Sequence, residues 1–256
     1  METEKPAISI LLPSYRGADI LAKQLGGLLQ FMQHRFTDFE IIVIDDGSND
    51  AGKTQDICTQ FGVKYLFLSE NKGKGAAIRT GMAAAQAPVV LFTDVDIPFE
   101  YETIARFYQL IFEKQYDLVV GDRTHPQSEY FASISPLRKW GSHLFYFLVS
   151  KVFTKGLPDT QCGIKAFKSS VGKTLFRQST IDGFAFDVEI LSLAALKGYV
   201  SIGLPVRLRN KELSTVRMMY HGLGMLGDLI SIAWRLKTGY YLKPEMPHEK
   251  NTFEKK

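Results

Sequence analysis

The most constraining feature of this chain is an alternation. Short β-rich runs at residues 7–12, 40–44, 65–68, 89–93 and 118–121 are separated by segments of helical periodicity. Leu21, Leu25, Leu28, Leu29 and Met32 recur at helical spacing, as do Ile104, Phe107, Tyr108, Ile111 and Phe112. Residues 54–61 and the Ala-rich stretch 75–85 are expected to be helical as well. Strands separated by helices predict βαβ units and a Rossmann-like, mostly parallel sheet of the α/β class. In such sheets ligands bind beyond the carboxyl ends of the strands. Those ends here carry Ser14-Tyr15, Asp45-Asp46, Asp94 with Asp96, and Gly121-Asp122-Arg123, so polar chemistry gathers where the topology makes a crevice.

Charge and cysteine content narrow the partners. The 256 residues carry a net charge of +4, too little to argue for nucleic acid. The basic residues cluster late in the chain. Arg207, Arg209, Lys211, Arg217, Arg235, Lys237 and Lys243 are opposed only by Glu212 and Asp228, and Arg138, Lys139, Lys151 and Lys155 have no acid among them. Both stretches are rich in aromatic and apolar residues and suit an anionic ligand or lipid headgroups. The two cysteines, Cys58 and Cys162, exclude a disulfide framework and fit a reducing compartment. No secretory signal is visible, and no uncharged apolar run approaches the roughly 18 residues that span a bilayer.

Several motifs carry chemistry, each beside a plainer explanation. Asp94-Val95-Asp96 follows the run Val-Val-Leu-Phe-Thr. Alternate residues of an extended chain point the same way, so both carboxylates can face one ligand. Two hard oxygen donors plus substrate phosphates suit Mg²⁺ or Mn²⁺, whereas a strand-end turn capped by Asp96 accounts for the same residues. Asp45-Asp46-Gly47-Ser48 is either turn chemistry or a carboxylate accepting from a base or ribose. Asn71-Lys72-Gly73-Lys74-Gly75 either bares backbone N–H groups to a phosphate at a helix start or is a loop. It matches neither the dinucleotide fingerprint nor the P-loop. Asp159-Thr160-Gln161-Cys162-Gly163-Ile164-Lys165 is an irregular polar run, and Cys162 has no nearby histidine to activate it. Asp187 and Glu189 precede an apolar helix at 190–196, as helix-dipole partners or as a base or acceptor-site contact.

Taken in order, these motifs resemble the family-two glycosyltransferases of the GT-A fold. Within that family they are similar to the polyprenyl-phosphate (dolichyl-phosphate) glucosyl- and mannosyltransferases, over about residues 7–240. The resemblance implies a nucleotide-diphospho-sugar transferase fold with C-terminal amphipathic helices. It implies nucleotide contacts from Pro13, Tyr15, Asp45, Asp46, Lys74, Arg79 and Asp94, with Asp46 on the base. Gly17 stands where the family usually has an acid, and Pro98 where some relatives have a further metal ligand. Asp96, with Asp94, would ligate Mg²⁺ or Mn²⁺, and Arg123 would bind phosphate. The Asp159–Lys165 run matches the polyprenyl-phosphate subgroup closely, and Ser214 with Arg217 resembles its later Ser-Lys segment.

The implied reaction is inverting transfer of a hexose from a nucleotide diphosphate sugar, of UDP-glucose or GDP-mannose type, to a polyprenyl phosphate. The expected catalytic set is Asp94, Asp96, Arg123, Asp187 and Glu189. Arg138, Arg209, Lys211, Ser214 and Arg217 are expected to clamp the acceptor phosphate. A phosphate monoester is already ionised at pH 7, since its second pKa is near ~6, so a dedicated base is optional. A glycan-hydroxyl acceptor would instead make Asp187 or Glu189 an essential base, and a non-catalytic nucleotide-sugar-binding protein is the alternative of another class. The expected organisation is a catalytic domain at 1–210, a basic amphipathic membrane-facing segment at 211–243 and a flexible tail at 244–256. The protein is expected to be peripheral on the cytoplasmic face of a membrane, and a core or homo-oligomer contact is the other explanation of its amphipathic segments.

Overall fold

The computed structural model describes residues 6–129, 153–154, 156–157, 159–209 and 222–242. The chain runs β1 (Ile8–Ser14), α1 (Ala18–Arg35), β2 (Phe39–Asp45), α2 (Lys53–Phe61), β3 (Lys64–Phe67), α3 (Lys74–Ala84), β4 (Val89–Phe92), α4 (Glu102–Phe112) and β5 (Leu118–Asp122). It continues with β6 (Lys165–Lys168), α5 (Ser169–Gln178), α6 (Phe186–Lys197), β7 (Ser201–Pro205) and α7 (Gly222–Lys237), then a 3-10 turn at Tyr240–Leu242. The strands form one sheet in the order β3-β2-β1-β4-β6-β5-β7. β1 pairs in parallel with β2 and β4, β2 with β3, and β5 with β7; β6 alone runs antiparallel, between β4 and β5.

Alternation along the strands builds a layer on each face. Ile8, Ile10, Leu12, Val43, Leu91 and Val119 pack with Leu21, Leu25 and Leu28 of α1 and Phe107 of α4. Leu11, Ile42, Ile44, Val90, Phe92 and Phe167 face the other way, onto Ile78 of α3, Phe176 of α5 and Phe186 of α6. Strands covered on both faces are continuously apolar, as β4 is, and this is the pattern of a doubly covered parallel sheet. The rings of Phe92, Phe167, Phe176 and Phe186 lie 5.8–6.5 Å apart where they meet, in stacked, tilted and edge-on pairs.

Three features differ from expectation or extend it. Strands β6 and β7 are additions to the parallel set. Helix α6 begins at Phe186, so Asp187 and Glu189 lie inside it rather than before it. The inner face of α7 contributes Ile232, with Met225, Leu229 and Leu236, and Tyr241 follows, all packed into the layer that holds α6. Among the described residues, no helix is long and apolar enough to cross a membrane.

Candidate active site

The carboxyl ends of β1, β2, β4 and β5 open onto one rim. At β1, the Asp46 N–H donates to Ser14 O at 2.8 Å, joining the first two strand ends. The Arg16 N–H donates to Ser48 Oγ at 2.7 Å. Asp45 is spent inside this corner: its Oδ1 accepts from the Ser48 N–H at 2.9 Å and its Oδ2 from the Tyr65 hydroxyl at 3.0 Å. Tyr15, beyond it, is 46% exposed, with the Arg16 guanidinium 5.2 Å over its ring. A Cβ on Gly17 would lie 2.8 Å from Ser14 Oγ, so a side chain there would require that hydroxyl to turn away.

Asp46 and the 71–75 loop meet differently from the nucleotide-contact reading. The Asp46 carboxylate accepts the N–H groups of Lys72 and Gly73, both at 2.8 Å. The Gly75 N–H is taken by Asp182 O at 2.7 Å. The glycines here admit backbone rather than phosphate: a Cβ on Gly73, whose φ is +109°, would sit 2.5 Å from Asp182 O, and one on Gly75 2.6 Å from Ile181 O. Arg79 is turned the same way. Its guanidinium donates to Asp182 Oδ1 at 2.6 Å, Ile181 O at 3.1 Å and Ser179 Oγ at 3.2 Å. In the structure Arg79 is held by the 179–182 segment.

The charged centre lies at the end of β4. Lys74 Nζ is 2.5 Å from Asp94 Oδ1. Burial alone would lower the Lys74 pKa, but Asp94, Asp187 and Asp96 outweigh it and hold the ammonium up. Asp96 Oδ1 is buried and has no hydrogen-bond partner among the described residues. Burial, then the charge of Asp94, pushes the Asp96 carboxyl above the usual carboxylate range. An orphaned carboxylate oxygen beside a second carboxylate is what a hard divalent cation would relieve, so the residues present fit Mg²⁺ or Mn²⁺. Gly163 closes over this centre; a Cβ there would come within 2.0 Å of Asp94 Oδ2.

Behind it runs a buried ion pair that sequence reading missed. Lys165 is fully buried at the start of β6, and its Nζ donates to Asp187 Oδ1 at 2.6 Å and to Cys162 O at 2.8 Å. Burial raises the Asp187 carboxyl, with Lys165 and Lys74 pulling against it. The charge of Lys165 in an otherwise polar run hid its burial; only its partner, 22 residues on, explains it.

Glu189 faces elsewhere. Two residues turn a helix by about 200°, so Asp187 and Glu189 point to opposite sides. Glu189 is fully buried. Its Oε2 accepts the N–H groups of Thr180 and Ile181 at 2.9 Å, and its Oε1 accepts from Tyr241 Oη at 2.6 Å and Thr180 Oγ1 at 2.9 Å. Arg235 Nη1 lies 3.5 Å away. This corrects the expectation of a shared role for the two acids: Glu189 is a structural hub with no open side.

Arg123 grips Asp159 with a two-point fork, Nε to Oδ2 at 2.7 Å and Nη2 to Oδ1 at 2.8 Å, while its own N–H adds a third bond at 2.9 Å. Cys162 is buried and its thiol is pushed up to about 12, first by burial, so it is no nucleophile. Arg209 stacks 4.4 Å over the Tyr101 ring and donates to Gln24 Oε1. Its backbone N–H donates to Pro98 O at 2.8 Å, two residues beyond Asp96. Arg138, Lys211, Ser214 and Arg217 lie outside the described residues.

A family model, glycosyl transferase family 2, matches residues 9–176, the span from β1 through most of α5. The chain belongs to glycosyl transferase family 2. The transferase is 31% identical to the dolichyl-phosphate beta-glucosyltransferase of Drosophila melanogaster over 254 residues, 90% of this chain and 77% of that protein. It is 29% identical to the human protein of the same description, over 91% of this chain and 76% of that one. The Saccharomyces cerevisiae protein of that description is 26% identical, over 94% and 78%. Among solved structures, the transferase is similar to glucosyl-3-phosphoglycerate synthase from Mycobacterium tuberculosis in complex with Mn²⁺, uridine-diphosphate and phosphoglyceric acid. The TM-score is 0.65 at 15% identity, over 89% of this chain and 78% of that one. Mannosyl-3-phosphoglycerate synthase from Rubrobacter xylanophilus gives a TM-score of 0.62 at 15% identity, over 95% and 78%. The transferase thus has a GT-A-like α/β fold.

Proposed function

We propose that this transferase moves a hexose from a nucleotide diphosphate sugar to a polyprenyl phosphate, as the dolichyl-phosphate beta-glucosyltransferases it resembles do by name. Those names favour glucose, and the uridine-diphosphate in the structural neighbours' complexes favours a UDP donor. The observation that carries the phosphate acceptor is the state of the two acids that could serve as base. Glu189 has both oxygens filled, and Asp187 is held by a buried ammonium.

The chain's own groups supply alignment and part of the charge, and a bound divalent cation would supply the rest. The half-exposed Tyr15 ring, with Arg16 over it, is the aromatic group at the rim that would meet the base. Asp94 and Asp96 would hold Mg²⁺ or Mn²⁺, which when bound supplies positive charge to the departing diphosphate. Lys74 fixes the Asp94 carboxylate in one orientation and adds a second cation beside it. Arg123 is fixed at the end of β5 by its ion pair with Asp159, at the position where the family resemblance puts a phosphate contact. The acceptor oxygen, ionised above about pH 6, attacks the anomeric carbon in line and inverts it while the diphosphate leaves. No side chain needs to take a proton.

The acceptor's tail is anchored in a bilayer, so the site must sit on one. Leu226, Ile230 and Trp234 are 58%, 67% and 61% exposed along one stripe of α7, and Leu242 is 67% exposed beyond it. With Lys237 beside them, they suit an interfacial helix in a peripheral protein. Free Cys58 and Cys162 suit the cytoplasmic face.

The double variant Lys165→Met/Asp187→Asn tests the acceptor class without stranding a buried ammonium. Turnover per folded molecule on a short polyprenyl phosphate is expected to stay within about tenfold of wild type. A loss of about 100-fold or more would make Asp187 a base and point to a hydroxyl acceptor.

A further inference from the structure

Glu189 is fully buried and takes no part in the donor rim, yet the segment it holds is the one on which the rim rests. Its Oε2 binds the N–H groups of Thr180 and Ile181. On the far side of that segment, Ile181 O accepts from Arg79, and Asp182 O accepts from Gly75 at the first turn of α3. Gly73 and Gly75 leave no slack there, since any Cβ would run into Asp182 O or Ile181 O. Lys74 stands between those two glycines, with its Nζ on Asp94. Two groups reach Glu189 from the C-terminal segment: Tyr241, through its hydroxyl, and Arg235, which also donates to Thr180 Oγ1. The same helix that carries Arg235 turns Leu226, Ile230 and Trp234 outward.

We infer that Glu189 is a positioning residue for the donor site, and that Arg235 and Tyr241 complete that site from behind by fixing the 180–182 segment against α3. The inference rests on the nucleotide-sugar reading above. The mechanism is steric and electrostatic. The buried carboxylate fixes two successive peptide N–H groups, their neighbouring carbonyls fix the start of α3, and the start of α3 aims Lys74 at the carboxylate that would share the metal. Loosening the far end costs donor affinity, not acceptor affinity. The C-terminal segment therefore has two faces with two jobs, one for the lipid surface and one for the nucleotide.

The test measures binding of UDP and GDP with Mn²⁺ by calorimetry in the full chain, alongside donor and acceptor KM, thermal melting and vesicle co-sedimentation. Tyr241→Phe removes one hydroxyl and Arg235→Met one charge; Arg235→Lys restores the charge. For the first two, the nucleotide Kd and donor KM are expected to rise about five- to tenfold. Acceptor KM and vesicle binding are expected to hold, and Arg235→Lys to recover most of the loss. Trp234→Ser, on the outer stripe, is expected to leave the nucleotide Kd unchanged. A wild-type nucleotide Kd in Tyr241→Phe and Arg235→Met would overturn the inference, as would a rise confined to acceptor KM. If Arg235→Met fails to fold, Tyr241→Phe decides. A wild-type protein that binds neither nucleotide would instead remove the donor reading, and this inference with it.

Discussion

Asp96 is a carboxylate kept at a cost. One oxygen is buried without a partner, and burial and Asp94 both raise its pKa. A carboxyl whose folded pKa is raised is stabilised by protonation, so its ionised form weakens the metal-free fold at neutral pH. Asp96→Asn is therefore expected to leave the metal-free melting temperature unchanged or higher at pH 7. Mn²⁺-supported nucleotide binding should fall by about 100-fold or more. Calorimetry with and without Mn²⁺, beside a melting curve, checks both halves; a large drop in melting temperature with metal affinity intact would mark Asp96 as a structural turn residue. The motif was legible because Asp-x-Asp follows a strand, but the extended spacing expected of it is not what forms: β4 ends at Phe92 and the two acids sit in a turn, the Ile97 N–H donating to Asp94 O at 2.9 Å. The protein partners of Asp46 and Arg79, at 72–73 and 179–182, were not legible, since they come together only in three dimensions.

The parallel elements were readable because alternation and helical spacing are local. Strand β6 was not. Lys-Ala-Phe-Lys reads as a charged loop until Asp187 is found to bury the first lysine. Helix α7 could be recognised as amphipathic, but periodicity does not say which face meets the core. Ile232, Met225 and Leu229 pack inward, and the outer stripe is left open. Asp228 lies on this helix, and burial, then the charge of Glu189, raises its pKa, with Arg235 opposing. The raised value means its penalty appears as pH rises through the unfolded carboxylate range near ~4 and is complete above the folded pKa. Asp228→Asn is expected to raise the melting temperature at pH 7 by about 2 °C or less, and to make no difference near pH 3. A melting temperature lowered at pH 7, or a gain that persists at pH 3, would contradict this.

At the scale of the molecule, two packed layers leave one rim for polar chemistry and one helix with an exposed apolar stripe, which the proposed function gives to the lipid surface. Replacing Ile230 and Trp234 by Glu should abolish co-sedimentation with vesicles containing phosphatidylserine without lowering the melting temperature, since both side chains are more than half exposed. Retained binding would put the lipid contact elsewhere, and a change in oligomeric state would make the stripe a contact between copies. One transfer reaction decides the function. Purified protein, Mn²⁺, a short polyprenyl phosphate and a panel of radiolabelled nucleotide sugars headed by UDP-glucose should carry label into the organic phase. That label should depend on both the metal and the lipid's phosphate. Label that stays in water with every donor, or that passes equally well to the unphosphorylated polyprenol, would contradict it.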